Sequence, residues 1–429
     1  MLKRATMCLF VISLLLGMSL GVYAQDINLT LWHIHTNVGA AQNTIQDAIR
    51  RFETDYPNVK IEEVQIINDE YKTKLMIAMG ANDEPDIFMS WGGGPLETYI
   101  SAGKVWDMTD ALVGEGIYDN FLPVALDLGS VGDRVYGVPI TNMVAALVFY
   151  RTDIFENLNL DIPTTYTELL EVMAVLNDNN ITPFALANAN KWTGSMYYMY
   201  LADRIGGPEA FYKAMMRTDG GSFASEAFIK AGEYLQELVK NNAFPRGFQS
   251  MDEDLAQSRN LLYTDRAAMY LMGSWAWGTI KAENESLLEK LDFFVFPGVD
   301  GGLGDPSNLV GTPGDNYFSV AQKCEHKEYA IKFLGYLSDE NAVEMLIANG
   351  HIPPFGEDIG SKIDDPMMKK LYQAVSGSDA VQLWYDQSLP PELAQVHLDT
   401  TQALFGLEMT PEEAAQTMEE AARRYHGEN

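Results

Sequence analysis

Four tryptophans with small or polar neighbours are the residues of this chain best suited to hold a ligand. Trp275 ends a Gly-Ser-Trp motif, and Trp384 lies two residues before Asp386. Trp192 follows a polar run, and Trp91 precedes three glycines. An indole ring covers a flat apolar ligand face, while nearby polar groups fix the orientation of the ligand. These positions predict a binding site.

Motifs for catalysis are absent from the sequence after residue 24. That part has no G-x-S-x-G elbow, no G-x-x-x-x-G-K-[ST] loop and no H-E-x-x-H helix. The chain has 60 acidic residues, yet no pair stands out as the flanking carboxylates of a glycoside hydrolase. We therefore expect that the protein is not an enzyme, and a secreted glycoside hydrolase is kept as a minor alternative.

Two sequence features resemble metal sites, and neither is complete. His33 and His35 have H-x-H spacing, which on a strand places both side chains on one face. No further ligands follow nearby, so we interpret them as ordinary histidines. The acidic loop 300–305 lacks the spacing of an EF-hand. We expect no metal and no cofactor.

The first 24 residues predict a secretory signal peptide. Lys3 and Arg4 precede an apolar segment from Leu9 to Leu20, and small residues at Val22 and Ala24 suit cleavage after Ala24. The residue directly after the cut is Gln25 and not a cysteine, so we expect a periplasmic protein without a lipid anchor.

The net charge limits the possible binding partners, and the cysteine count limits the possible disulfides. The formal net charge is −31, which repels phosphate backbones and anionic lipid, so we expect no nucleic-acid partner. Cys8 lies in the leader and leaves Cys324 alone, so no disulfide can form within the mature chain. The stability of the fold must therefore come from the burial of apolar side chains.

Alternating strand and helix patterns predict an α/β fold. A strand at 29–33 is followed by a helix whose apolar face carries Ile45, Ala48, Ile49 and Phe52. Further strands at 59–62 and 86–89 enclose a second helix, in the β-α-β-α-β order of a doubly wound sheet. Capping boxes at 165–168 and 410–413 predict two helix starts.

The ordered motifs of the chain resemble those of the extracellular solute-binding proteins of ABC importers, in the sugar-binding branch related to maltose-binding protein. Each motif is weak alone, and their order and spacing carry the resemblance. They are Tyr71–Leu75, Asp83–Phe88, Gly103–Thr109, Tyr136–Ile140, Val148–Phe155, Pro163–Leu169, Ala267–Trp275, Ala330–Leu334 and Trp384–Pro390.

The resemblance implies two doubly wound α/β lobes joined by a multi-strand hinge, the type II arrangement of periplasmic binding proteins. Lobe one would hold residues 25–140 and 296–340, and lobe two residues 141–295 and 341–429. The strands 138–140 and 294–296 would cross between the lobes. A ligand in the cleft would favour the shut state.

The resemblance also implies that Trp275 stacks on a sugar ring, and that His35, Asn37, Asn316 and Tyr317 occupy positions that face the ligand. From the residues themselves, Trp384 is predicted as a second platform, with Asp386 accepting hydroxyl hydrogen bonds. Trp192 with Asn190 in a polar loop, and Trp91 at a strand end, are weaker candidates. We interpret Trp32, Trp106 and Trp277 as packing residues.

The expected ligand is a neutral di- or oligosaccharide, and the expected partner is a membrane permease that receives it from a monomeric binding protein. A polyol, a glycerol phosphodiester or a peptide are the alternatives within the family. A phosphate ligand would require cations at the cleft, and only Lys191 and Arg246 lie near the candidate residues in sequence.

Overall fold

The structure is a computed structural model that describes residues 26–37, 39–378 and 380–428. The predicted signal peptide lies outside these residues. Within them, no helix has both the length and the apolar character needed to cross a membrane.

Thirteen strands occur in the described residues. In chain order they are β1 (Ile27–His33), β2 (Val59–Gln65), β3 (Ile87–Ser90), β4 (Ser130–Val131), β5 (Arg134–Val135), β6 (Val138–Pro139), β7 (Val144–Arg151), β8 (Thr182–Phe184), β9 (Ala267–Gly273), β10 (Leu291–Phe294), β11 (Leu309–Thr312), β12 (Tyr317–Val320) and β13 (Val381–Leu383).

The α-helices are named by their bounds below. They are Ala40–Asp55, Asn68–Ala81, Gly93–Ser101, Thr109–Gly114, Pro123–Leu126, Thr152–Leu158, Tyr166–Asp178, Trp192–Gly206, Glu209–Met216, Glu226–Lys240, Arg259–Tyr263, Ala276–Asn284, Lys327–Tyr336, Glu340–Ala348, Ile359–Lys362, Pro366–Ser376, Tyr385–Ser388, Pro391–Phe405 and Pro411–Tyr425.

The first sheet has the strand order β2-β1-β3-β12-β6. β1 runs parallel to β2 and β3, because a helix connects each consecutive pair, and β12 returns antiparallel to β3. Helix Ala40–Asp55 buries Ile45, Ala48 and Phe52 completely, close to the predicted face. We name the body around this sheet lobe one.

The second sheet has the order β13-β11-β7-β9-β8. β7 is its centre: β9 pairs with one edge, and the other edge is shared by β11 at its start and β10 at its end. Seven of the eight residues of β7 are buried, which is typical of a strand covered on both faces. We name the body around this sheet lobe two.

The chain passes between the lobes at 140–143, at 313–316 and at 363–365. The second crossing differs from the predicted one, because the segment at 294–296 continues from β10, which pairs with β7 inside lobe two. β11 also lies in lobe two, where it pairs with β7 and β13, although residues 296–340 were expected in lobe one.

The segment 341–363 was expected in lobe two and lies against lobe one. Helix Glu340–Ala348 packs on helix Ala40–Asp55, and Arg51 pairs with Asp339 at 2.5 Å just before it. The amide of Leu122 donates to the carbonyl of Pro354 at 3.1 Å. Apolar runs identify strands and helices, but the lobe each joins depends on long-range pairing that local pattern does not encode.

Both predicted capping boxes are confirmed. The hydroxyl of Thr165 accepts from the Glu168 amide, and that of Thr410 accepts from the Glu413 amide. These reciprocal bonds fix the starts of helices Tyr166–Asp178 and Pro411–Tyr425.

Candidate ligand-binding cleft

A cleft of about 300 Å³ lies between the two lobes, at the lower end of the range for small-molecule sites. Its walls come from the carboxyl ends of β1 and β3 in lobe one and from segments after β9 and β13 in lobe two. Residues of the first two crossings, Thr141, Asn142, Asp315 and Asn316, also line it. Ligands of doubly wound sheets bind at such strand ends.

Three indoles form one cluster on the lobe-two wall. The ring centroid of Trp275 lies 6.2 Å from that of Trp192 and 6.3 Å from that of Trp384, with the planes tilted by 53° and 57°. Trp192 begins a helix, Trp275 follows β9, and Trp384 follows β13. Three segments that are distant in the sequence thus bring their rings to one surface.

A glycine makes room for the central indole. A Cβ on Gly273 would lie 2.1 Å from Cζ3 of Trp275, well inside van der Waals contact. Trp275 then precedes helix Ala276–Asn284. The Gly-Ser-Trp motif therefore allows the ring to fold back over the end of β9.

Trp91 stands on the lobe-one wall, where Lys72 covers part of it. The Lys72 ammonium lies 4.9 Å from the centroid of the Trp91 ring, within range of a cation–π contact. The same Nζ lies 3.7 Å from Oδ2 of Asp386 in lobe two. Lys72 and Asp386 therefore link the lobes across the cleft.

Two predicted contact residues do not line the cleft. Asn190 is 8% exposed, and its amide nitrogen donates to Asp69 at 2.7 Å and to Asp252 at 3.2 Å. It bridges the lobes instead. Tyr317 lies in the core of lobe one, where its hydroxyl donates to the carbonyl of Ala125 at 2.6 Å. All four residues of β12 are buried, so a side chain on either face of this strand lies in the interior.

The remaining predicted residues lie at the cleft: Trp275, Trp384, Asp386, Trp192, Trp91, His35, Asn37 and Asn316 all line it. Asn37 is exposed, whereas Asn316 is buried with a left-handed φ of 55°. None of Trp32, Trp106 and Trp277, interpreted as packing residues, lines this cleft.

The H-x-H pair does not point to one site. His33 is fully buried and its Nε2 lies 2.8 Å from Oε1 of Glu63, while its Nδ1 accepts from the His35 amide at 3.1 Å. Only His35 reaches the cleft. In the described part of the chain, no group of three or more His, Cys, Asp or Glu side chains could hold a metal ion.

Arg259, one of the cations at the cleft, is neutralised by two carboxylates. Its guanidinium contacts Glu253 at 2.5 Å and Glu283 at 2.9 Å. Tyr270 donates to Glu253 at 2.7 Å, and Tyr263 donates to Glu283 at 2.7 Å. Lys72, the other Lys or Arg on the described cleft wall, faces Asp386. Neither cation is left to attract an anion.

Asp254 and Asp315 add carboxyl groups without a cation beside them. Burial raises the pKa of Asp254 to about 6, and the charges of Asp69 and Asp252 add to the rise. Burial raises the pKa of Asp315 to about 7, with a further contribution from Asp386. Both groups hold protons more tightly than an exposed aspartate.

Several residues at the cleft were missed from the sequence. Thr141 and Asn142 interrupt an apolar run between β6 and β7, a signal that could have identified them. Arg259, Glu283 and His351 carry no such local signal, because only tertiary packing brings them to the cleft.

Comparison with known proteins identifies the family. The model of the bacterial extracellular solute-binding proteins matches residues 36–344. The chain belongs to this family.

Relatives among the solute-binding proteins cover most of the chain. An uncharacterized ABC transporter extracellular-binding protein of Pyrococcus horikoshii is 27% identical over 82% of this chain and 77% of its own length. The multiple sugar-binding protein of Streptococcus mutans is 24% identical over 70% of this chain and 69% of its own.

A solved structure from a study of xylan utilization by Caldanaerobius polysaccharolyticus is 30% identical to this chain, with a TM-score of 0.85. It covers 92% of this chain and 99% of its own. The predicted α/β fold of type II is thereby confirmed for this solute-binding protein.

We predict that Gly273→Ala displaces the Trp275 ring, because the added methyl group occupies its place. The free energy of unfolding should fall by about 1–3 kcal/mol, the usual cost of overpacking. Near-ultraviolet circular dichroism should also lose part of its tryptophan signal. Gly114→Ala is the control, since a Cβ there meets no atom within 4 Å. Equal behaviour of the two variants would contradict the prediction.

We predict that Asp254→Asn raises the melting temperature more at pH 8 than at pH 5. The folded protein keeps the Asp254 proton up to about pH 6, whereas the unfolded chain releases it near the ordinary pKa of 3.8. The stability from this group is complete below pH 4 and is lost as pH rises through 6. The difference between the two pH values should be about 1–2 °C relative to wild type.

The control for this experiment is Asp161→Asn, which removes one exposed carboxylate outside the cleft. It corrects for the general effect of net charge on stability. Identical pH profiles of the Asp254 and Asp161 variants would show that Asp254 titrates as an exposed group.

Proposed function

We propose that this solute-binding protein captures a neutral di- or oligosaccharide in the cleft and delivers it to the permease of an ABC transporter. The observation that carries the proposal is the cluster of Trp192, Trp275 and Trp384 in a cleft whose two cations, Lys72 and Arg259, are both paired. The name of the Streptococcus mutans relative, a multiple sugar-binding protein, supports the ligand class.

The tilted indoles suit the shape of a sugar. A pyranose ring has apolar C–H faces and a rim of hydroxyl groups, so it packs on an aromatic face and hydrogen bonds at its edge. Asp386 lies two residues after Trp384 on the cleft wall and supplies carboxylate acceptors for that edge. Trp91 on the opposite wall contributes a second apolar surface.

Charge pairing at the cleft argues against a glycerol phosphodiester. A buried phosphate requires an unpaired cation or a set of amide donors, since an uncompensated anion is costly to bury. Arg259 is held by Glu253 and Glu283, and the nearby Asp254 and Asp315 offer a phosphate no positive charge. A neutral ligand avoids this cost.

Capture requires movement of the lobes. A ligand that contacts both walls gains its full affinity only when the cleft is shut, so it shifts the population towards that state. The Lys72–Asp386 pair and the Asn190 bridge support the shut state. A permease that reads the relative position of the lobes then distinguishes the loaded protein from the empty one.

We also propose that the protein is a monomer without catalytic activity. It would be located in the periplasm after cleavage behind Ala24. A solute receptor releases its ligand unchanged, so no general acid is needed beside the bound sugar. The proposed leader takes the chain to the compartment where the ligand is found. Incubation with oligosaccharides followed by chromatography should therefore return them intact.

We expect calorimetric titration with cellobiose, xylobiose, maltose and melibiose to identify at least one ligand. Its dissociation constant should be micromolar or lower, about −8 kcal/mol or stronger. Glycerophosphocholine should not bind, because the cleft offers its phosphate no free cation. Binding of the phosphodiester but of no saccharide would overturn the proposal.

We predict that Trp275→Ala weakens binding of such a saccharide by about 1–3 kcal/mol through loss of stacking. Trp106→Ala is the control, because that indole is outside the cleft and packs near Lys327. Unchanged affinity together with a lower melting temperature would assign Trp275 to structural packing alone.

A further inference from the structure

Five residues that line the cleft have a buried side-chain polar atom with no hydrogen-bond partner within the described protein. The atoms are Nε2 of His35, Nδ1 of His351, Oδ1 of Asn316, Oε1 of Gln42 and Nε1 of Trp192. We draw an inference from three of them, those of His35, His351 and Asn316. A buried polar atom without a partner costs about 1–3 kcal/mol, so such a concentration at one place calls for an explanation.

The three residues come from separate segments that meet at the hinge side of the cleft. His35 follows β1, and Asn316 belongs to the second crossing between the lobes. His351 precedes Ile352, whose amide donates to Asn142 of the first crossing at 2.7 Å. A Cβ on Gly278 of lobe two would lie 3.2 Å from the His351 ring. The ring is thus packed where the two lobes meet.

Both imidazoles are uncharged at neutral pH. Burial lowers the pKa of His351 to about 4. Burial also lowers the pKa of His35 well below its ordinary value, and the charges of His33 and His351 lower it further. A neutral imidazole carries one donor nitrogen and one acceptor nitrogen.

A hydroxyl group matches this combination, because it donates one hydrogen bond and accepts others. A carboxylate or phosphate offers only acceptors, and an ammonium group only donors. The Asn316 Oδ1 accepts from a hydroxyl in the same way. Adjacent hydroxyls of one sugar ring could therefore meet His35, His351 and Asn316 together once the open cleft admits the ligand.

We propose that His35 and His351 hydrogen bond to the hydroxyl groups of the ligand at the hinge side of the cleft, with His351 as a specificity-determining residue. This inference rests on the proposed function, since it assigns the polar recognition of the same saccharide. In this proposal the tryptophans pack against the faces of the sugar ring. The imidazoles hydrogen bond to its hydroxyl groups and so distinguish one arrangement of hydroxyls from another.

A metal ion is a less suitable occupant of this place. His33, the third histidine nearby, directs its Nε2 to Glu63 and its Nδ1 to the His35 amide. Two nitrogens and one amide oxygen are a weak ligand set, because protein sites for zinc use three or four strong ligands. Zinc is tested as a competitor below.

The experiment is calorimetric titration of cellobiose, xylobiose, maltose and melibiose into the full mature chain and three variants. His351→Phe removes both nitrogens and should weaken binding of the tightest-bound saccharide at least ten-fold, with a smaller loss for the weaker-bound ones, so that the ratio of their affinities falls. His351→Gln keeps a donor and an acceptor and should stay within about three-fold of wild type. His326→Gln, a partly exposed histidine outside the cleft, should have no effect.

A second measurement does not depend on folding of the variants. Nitrogen-15 spectra of the wild-type imidazoles should show Nδ1 of His351 and Nε2 of His35 shifting when the bound saccharide is added, while His326 stays unchanged. Addition of zinc chloride should leave these signals in place.

The possible results separate the two proposals. If no saccharide binds wild type, the proposed function fails and this inference fails with it. If a saccharide binds but His351→Phe retains full affinity and the imidazole signals do not move, the inference is overturned while the proposed function stands. Displacement of the signals by zinc alone would also overturn it.

Discussion

The repeated passage of the chain between two sheets is the constraint on which the cleft depends. Each lobe has its own buried sheet, so neither can deform without loss of core packing. The crossings at 140–143, 313–316 and 363–365 hold these cores next to each other. The first two crossings also carry Asn142 and Asn316, so the segments that join the lobes form part of the cleft wall.

The charged side chains at the cleft are paired in two ways, across the cleft and within one lobe. Lys72 belongs to lobe one and Asp386 to lobe two, whereas Arg259, Glu253 and Glu283 form a network within lobe two. The pairs inside lobe two have separations of 2.5 and 2.9 Å, whereas the pair that spans the cleft is longer, at 3.7 Å. The closer ion pairs at the cleft therefore lie within one lobe, and the looser one joins the two lobes.

Local patterns predicted much of the fold. The face of helix Ala40–Asp55, the capping box at Thr410 and the alternation of strands and helices depend on neighbours within a few residues, so sequence reasoning found them. The partner of β11 and the position of helix Glu340–Ala348 depend on contacts between distant segments. Those contacts carry no local signature, so the lobe that each of these segments joins could not be predicted from the sequence.

The candidate site likewise contains residues that could be predicted from local sequence and residues that could not. Aromatic rings beside glycines or polar residues stand out in a sequence, and all four of the indoles that were singled out line the cleft. Asn190 looked like part of the same group because of its neighbour Trp192, yet its amide is used between Asp69 and Asp252. A residue such as His351 can be recognised as a candidate site residue only in the structure, because its neighbours at the cleft are distant in the sequence.

The bridge made by Asn190 bears on what holds the two lobes together. Its amide donates to Asp69 in a bond of 2.7 Å that joins one protein group to another. A hydrogen bond of this kind contributes about 1–3 kcal/mol. Part of the free energy of contact between the lobes is therefore supplied by the protein itself.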